Sequence, residues 1–324
     1  MSPLTTPKSV RLLRPLGLLV SVLAATSLAC AGLGNPTLAP SPTITAGVPA
    51  TQTVAPAEAT PTELGPVATT APATATEAPT AESATAPPDV STITETIYIA
   101  SPGLGSRLTS PLHVEGFAGP TFEQHLVIQI TDANGAVLAI QPTIIQADAG
   151  SAGPFSADVA FTTPTDQPGR ISVFDTSARD GGLLHLASVE VDLVTSGASV
   201  VELAAEHPEV HIILEPAPAA VVSGGTLHVA GFSEYVFEGT LNIWLCGEGG
   251  SSTVTDVICG TADNVLMNGF TTMSAPDIGL PGPFALDLPY TIAGTVRARV
   301  AVYSTSARDG GIIHLTTVPV TLNP

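Results

Sequence analysis

The sequence predicts an all-β fold: two tandem β-sandwich domains carried behind a disordered Ala/Thr/Pro-rich stalk. Three observations lead there. The phrase Thr176-Ser-Ala-Arg-Asp-Gly-Gly182 recurs as Thr305-Ser-Ala-Arg-Asp-Gly-Gly311, and each copy runs on into two aliphatics, a His and a Leu. A repeated heptamer with matching flanks marks an internal duplication. Short β-rich runs of period two, spaced by Gly, Pro, Asn and Asp, fill both halves of the duplication, as sandwich strands do. A long stretch ahead of them carries neither an aromatic nor a basic residue.

Residues 1–30 read as an export signal. Lys8, Arg11 and Arg14 precede an apolar run from Leu16 to Ala29, too short for the roughly 20 residues of a spanning helix. The run ends Ser27-Leu28-Ala29-Cys30, which resembles a bacterial lipobox. That resemblance implies diacylglycerol on Cys30 and a membrane anchor through this N-terminal lipid; ordinary signal-peptidase cleavage near Ala29 is the alternative.

Residues 31–92 are mainly Ala, Thr, Pro, Ser, Val and Gly. Such a segment buries too little apolar surface to offset its chain entropy, so it is expected to be a disordered linker. About sixty residues would reach roughly 45 Å as a coil, or roughly 190 Å as stiff polyproline II.

The folded part is expected to begin at residue 93, with domain 1 over 93–195, a connector over 196–209 and domain 2 over 210–324. Leu112-His-Val-Glu-Gly-Phe117 matches Leu227-His-Val-Ala-Gly-Phe232, Phe122-Glu123 matches Phe237-Glu238, and Gly153-Pro-Phe155 matches Gly282-Pro-Phe284. Arg170 matches Arg299. Asp132-Ala-Asn134-Gly135 carries a hairpin signal. Ser199 and Glu202 have capping-box spacing and Pro208 closes the pattern, which predicts one or two helical turns in the connector.

These motifs together resemble the immunoglobulin-like domain of bacterial spore germination. The resemblance spans both copies, but copy two lacks the Asp-Asn-Gly hairpin and carries an insertion there. It implies an immunoglobulin-like fold and a non-catalytic module that binds a ligand or partner.

Composition narrows the function. The formal net charge is −19, and beyond residue 30 six arginines and no lysine face all 28 acids. Such a surface repels nucleic acid. Missing lysine excludes a Walker A loop, a Schiff-base lysine and a Ser-x-x-Lys pair. No Gly-x-Ser-x-Gly elbow or active-cysteine context is present, so no enzyme and no cofactor are expected. With Cys30 assigned to lipid, Cys246 and Cys259 remain, and in an exported chain they predict a disulfide.

Several residues are candidates for a role. Asp180 and Asp309 are expected to cap tight hairpins through their side chains. Arg179 and Arg308 are expected to pair with the repeated acids Glu123 and Glu238. His113, His228, His185 and His314 flank inward-pointing aliphatics and are expected on solvated outer faces, with no metal. Trp244 and Tyr235, beside the Cys246–Cys259 insertion, are the candidate binding residues. The chain is thus expected to present two modules to an envelope protein partner. A cell-wall glycan bound at Trp244 and a purely structural spacer are the alternatives.

Overall fold

The computed structural model describes residues 93–324. The export signal, Cys30 and the 31–92 linker lie outside the described residues. Domain 1 is built from β1 (Ile97–Ser101), β2 (Arg107–Leu108), β3 (Leu112–Ala118), β4 (His125–Thr131), β5 (Val137–Ile144), β6 (Gly153–Val159), β7 (Gln167–Thr176) and β8 (Leu183–Leu193). Domain 2 contains β9 (His211–Glu215), β10 (Ala220–Val222), β11 (Thr226–Ser233), β12 (Thr240–Gly247), β13 (Thr255–Asp256), β14 (Gly260–Thr261), β15 (Val265–Thr272), β16 (Gly282–Pro289), β17 (Val296–Thr305) and β18 (Ile312–Leu322).

The two domains share one topology. In domain 1 the sheet β1-β3-β6 packs on β5-β4-β7-β8, with β2 parallel to β8. In domain 2 the sheet β9-β11-β16 packs on β15-β12-β17-β18, with β10 parallel to β18. The copies differ where β4 meets β5 through the Asp132–Gly135 turn, whereas β12 reaches β15 through a long insertion that holds β13 and β14.

Period-two alternation produces these strands. On β3, Leu112 and Val114 are buried while His113 and Glu115 face solvent. The inward residues of both sheets fill a core in each domain: Ile97, Leu126, Ile128, Phe155 and Ile171 in the first, and Val229, Leu241, Ile243, Phe284 and Val300 in the second. Burying one such side chain contributes about 1.5–3 kcal/mol. The repeated Gly of the Leu-His-Val motif serves this packing. A Cβ on Gly116 would collide with the Tyr98 carbonyl oxygen and approach the Phe155 ring to 2.7 Å; on Gly231 it would meet the Ile212 carbonyl oxygen and the Phe284 ring. The Gly of one strand and the Phe of Gly-Pro-Phe are therefore one device: the missing side chain lets the neighbouring backbone and the aromatic close in.

The connector departs from expectation, because residues 196–209 contain no helix. Val200 exchanges backbone hydrogen bonds with Arg107 at 2.7 and 2.8 Å, the Gly103 N–H donates to the Glu202 carbonyl, and the Ala204 N–H donates to Ala100. Ser199 does not cap Glu202: its Oγ accepts from the Thr109 N–H, and the Glu202 N–H is taken by Ser106 Oγ. The backbone groups that a helix would use are spent on the edge of domain 1.

The domains meet through their last strands. β8 and β18 pair antiparallel with Leu186 opposite Leu315, which joins the two larger sheets into one of ten strands. Leu186 and Leu315 hold the same place after the repeated heptamer. Equivalent residues opposed in an antiparallel pair define a local two-fold axis, as in an isologous dimer. Leu183, Leu186, Ile258, Ala301, Tyr303, Leu315 and the cystine form a third hydrophobic cluster at this junction.

Candidate functional site

Two features converge on the domain junction: a reciprocal clasp made by the repeated heptamers, and a cluster of buried His and Glu.

Each heptamer is a hairpin tip. Gly181 and Gly310 adopt φ of 77° and 70°, the left-handed region that glycine enters without strain. Asp180 Oδ1 accepts the Gly182 N–H at 3.0 Å, and Asp309 Oδ1 accepts the Gly311 N–H at 2.9 Å. The same carboxylates reach into the other domain. Asp180 Oδ2 accepts from Arg299 at 2.8 Å, and Asp309 Oδ1 accepts from Arg170 at 3.0 Å. All four side chains are almost wholly buried. The matched arginines of β7 and β17 thus hold the matched aspartates of the opposite copy.

The last glycine of each heptamer makes room for the arginine. A Cβ on Gly182 would overlap the Arg299 guanidinium and lie 2.6 Å from the Ile258 carbonyl oxygen; on Gly311 it would lie 2.6 Å from Arg170 Nη1. Burial pushes the Asp180 carboxyl up, but the Arg299 hydrogen bond and the Gly182 N–H outweigh it and hold its pKa below the ordinary value. Asp309 is likewise lowered, with burial opposing and Gly311 and Arg170 prevailing.

The expected pairing of Arg179 and Arg308 with Glu123 and Glu238 is not formed. Arg179 bonds Glu248, and Arg308 bonds Glu190 at 2.9 Å. Glu123 and Glu238 stand exposed at matched positive-φ turns, both with φ of 54°. The arginines turn instead to carboxylates across the junction, which a reading confined to one domain does not bring near.

Cys246 and Cys259 form a disulfide that shapes the insertion. Ile258 O accepts from Arg299 Nη2 at 3.0 Å, the Leu183 N–H donates to Val257 O, and Asn264 Nδ2 bridges Cys259 O and Asp180. The stapled insertion therefore receives the first domain's hairpin. Trp244 is part of the same junction. Its alternation partners Leu241, Ile243 and Leu245 fill the domain 2 core as expected, but the face it occupies is not open. The indole is half-buried, packs edge-on to Tyr303 with centroids 6.1 Å apart, and lies against the junction cluster. It is not an outward platform. Tyr235 is exposed and lines an apolar groove of about 620 Å³ with Phe237, Met273, Ile278 and Leu280.

The histidines divide into two kinds. His113 and His228 are half-exposed and bond Asp158 and Asp287 across matched strands. His185 and His314 are not on solvated outer faces, contrary to the alternation argument. The leucines beside them, Leu186 and Leu315, face the junction, while the histidines share the side of their strands that carries Val191 and Val320 into the cores. His185 is buried with its Nε2 at 3.4 Å from both Glu95 Oε1 and Glu209 Oε1. His314 Nδ1 is buried 3.8 Å from the same Glu95 oxygen and has no hydrogen-bond partner among the described residues.

Burial raises the Glu95 carboxyl, yet the imidazoles of His185 and His314 more than reverse this and hold it well below the usual range. Burial leaves Glu209 raised. His185 is pushed down by burial, but Glu95 and Glu209 carry it above its ordinary value. His211, beside this group, has both ring nitrogens 3.0 Å from serine hydroxyls, those of Ser233 and Ser304. Burial and the neighbouring His314 push it down to about 3, so it stays neutral.

Residues 96–182 match the family model described as the immunoglobulin-like domain of bacterial spore germination. The family match falls within the first domain. The match runs from β1 through the first clasp hairpin, and the second domain repeats the same sheet order and motifs. Spore germination-type immunoglobulin-like domains are non-catalytic binding or structural modules. No curated protein matches the chain.

Among solved structures, the chain is similar to red sea bream transglutaminase at 10% identity, over 71% of this chain and 31% of that one, with a TM-score of 0.24. It is also similar to dimeric latent PorU from Porphyromonas gingivalis at 12% identity, over 70% and 24%, with a TM-score of 0.21. A third likeness, to CBD12 from CALX1.2, has 9% identity over 66% and 83% and a TM-score of 0.20. The chain spans under a third of the first two, and likeness at this level carries no argument about function.

Proposed function

We propose that this chain is an exported, lipid-anchored envelope protein whose two clasped immunoglobulin-like modules act as one non-catalytic unit that binds an extracytoplasmic protein. The observation that carries the reading is the apolar groove of domain 2. Ile278 is 91% exposed, and Tyr235, Phe237 and Leu280 are about half exposed. Contiguous exposed apolar side chains of this kind mark interaction surfaces. Glu238 and Asp277 line the same groove, so its occupant is a protein segment with apolar anchors flanked by basic residues. The clasp favours such a role because it holds the groove at a fixed orientation to domain 1. A glycan platform at Trp244 is disfavoured, since Tyr303 and the junction occupy that indole.

The test is in-cell crosslinking from a photoreactive residue at position 235, with position 137 on the outer strand of domain 1 as control. A discrete adduct from 235 that is absent from 137 and lost with Ile278→Asp supports the reading. An identical adduct pattern from both positions, or none from 235, rejects it. Cys30→Ala should release the protein from the membrane fraction; continued membrane retention would remove the lipid anchor from the account.

A further inference from the structure

The His and Glu cluster at the junction lies apart from the groove, and its His185 contacts, at 3.4 Å, are longer than those of tight ion pairs. We infer that Glu95, His185 and Glu209, completed by His314, form a binding site for a zinc-class divalent transition ion that locks the junction.

The argument begins with distances. His185 Nε2 lies 3.4 Å from each of two carboxylate oxygens, Glu95 Oε1 and Glu209 Oε1. A charge-assisted N–H···O bond draws in to about 2.7–2.9 Å, and both contacts stand well outside that range. Ligands bound at about 2.0–2.2 Å around a tetrahedral zinc are separated from one another by about 3.4 Å. The three donor atoms, all buried, lie within 4.8 Å of one another.

The carboxylates are also oriented. Glu95 Oε2 accepts the Val210 N–H at 3.0 Å, and Glu209 Oε2 accepts the Thr96 N–H at 2.9 Å. Each glutamate thus spends one oxygen on backbone and aims the other at the common point, the arrangement by which outer partners fix metal ligands. His314 Nδ1, buried, without a hydrogen-bond partner among the described residues and 3.8 Å from Glu95 Oε1, stands beside these three donors and is the further nitrogen that a bound ion would draw in. Two imidazoles with two carboxylates suit zinc better than calcium or magnesium, which take all-oxygen shells.

The placement supplies the role. Glu95 precedes β1, Glu209 ends the connector, His185 lies on β8 and His314 on β18. One ion would tie the entry of the folded unit, the connector and both domains together, and any ligand that binds only the native state stabilises it.

The full-length protein is stripped with a chelator and titrated with Zn²⁺ by calorimetry, with melting temperature read in parallel and Ca²⁺ as control. One equivalent of zinc is expected, with a rise in melting temperature that Ca²⁺ does not give. Cobalt(II) should add visible bands of four-coordinate intensity. His185→Gln should lose the bound equivalent while His113→Ala keeps it. Should His185→Gln fail to fold, the partly exposed His314→Ala serves, with weakened binding and diminished cobalt bands. Absence of zinc uptake by the folded wild type overturns the inference. So does uptake that survives in His185→Gln, that is undiminished in His314→Ala, or that disappears with His113→Ala.

Discussion

The two halves of the clasp use one heptamer in unlike sockets. The first hairpin, Thr176–Gly182, is received by the stapled insertion of domain 2; Asp180 there meets Arg299 as its sole cationic partner among the described residues. The second hairpin, Thr305–Gly311, is received by domain 1 beside the short Asp132–Gly135 turn; Asp309 there meets Arg170 and also its own neighbour Arg308 at 3.4 Å. Insertion and turn occupy the same topological place, between β12 and β15 and between β4 and β5. Duplication therefore supplied a symmetric core of contacts, and divergence at one loop reinforced one socket. A repeated motif here is the adhesive by which two copies of a domain recognise each other.

Removing the arginines separates the sockets most strongly. Arg299→Ala leaves Asp180 buried without its counter-charge, and breaking a buried pair in this way costs about 3–5 kcal/mol. Arg170→Ala should cost less, about 1.5–3 kcal/mol, because Arg308 still faces Asp309. Chemical denaturation of both variants measures the order, and an equal loss would mean that Arg308 gives Asp309 no support. Next comes the staple. Cys246→Ala with Cys259→Ala opens a closed loop of 13 residues' separation, worth about 3 kcal/mol on the chain-entropy model. Its loss should raise hydrogen exchange at Leu183 and leave Ile312 unchanged. Uniform loosening of both hairpins would show that the staple does not act on one socket. A smaller effect is expected from glycine. Gly182→Ala meets the fixed carbonyl of Ile258 as well as a guanidinium, and overpacking of this kind costs about 1–3 kcal/mol. Gly311→Ala meets the flexible end of Arg170 and should cost less; the reverse order in melting temperature would contradict the geometry.

Much of this was legible in the sequence, and most of the rest failed for one reason. Alternation placed Leu241, Ile243 and Leu245 inward, and the Asp-Gly signal placed the hairpins. The heptamer fixed the duplication. Alternation also assigned Trp244 to the outer face, correctly. It put His185 and His314 there wrongly, because their neighbours Leu186 and Leu315 are the residues that face outward to the junction. That face is covered because a second copy lies on it, and period-two patterning knows only one sheet at a time. The missed signal was Arg170 and Arg299, an arginine at the same place in two repeated strands of a chain poor in basic residues. Buried arginines require carboxylates, and the only acids repeated in register with them inside the heptamer were Asp180 and Asp309. The connector was misread for a related reason, since Ser199 and Glu202 have capping-box spacing but find their partners in Thr109 and Ser106.

The smallest expected difference lies in acid stability. Asp180 has a folded-state pKa below its ordinary value, so the unfolded chain binds its proton more readily and stability falls as pH decreases. Its contribution is complete above about pH 4, near the ordinary aspartate value, and is lost as pH falls through the lower folded value. Asp180→Asn removes the titrating group while nearly conserving its volume. The difference in unfolding free energy between wild type and this variant should be constant near neutrality and shrink below about pH 4. Asp309 obeys the same sign, with Arg170 and Arg308 sharing the carboxylate. In Asp309→Asn the difference should persist to lower pH in wild type than in Arg308→Ala, because the second arginine helps keep the carboxylate ionised. A gap between wild type and Asp180→Asn that stays constant through the acid range would assign the clasp's stability to shape alone and remove charge from the comparison.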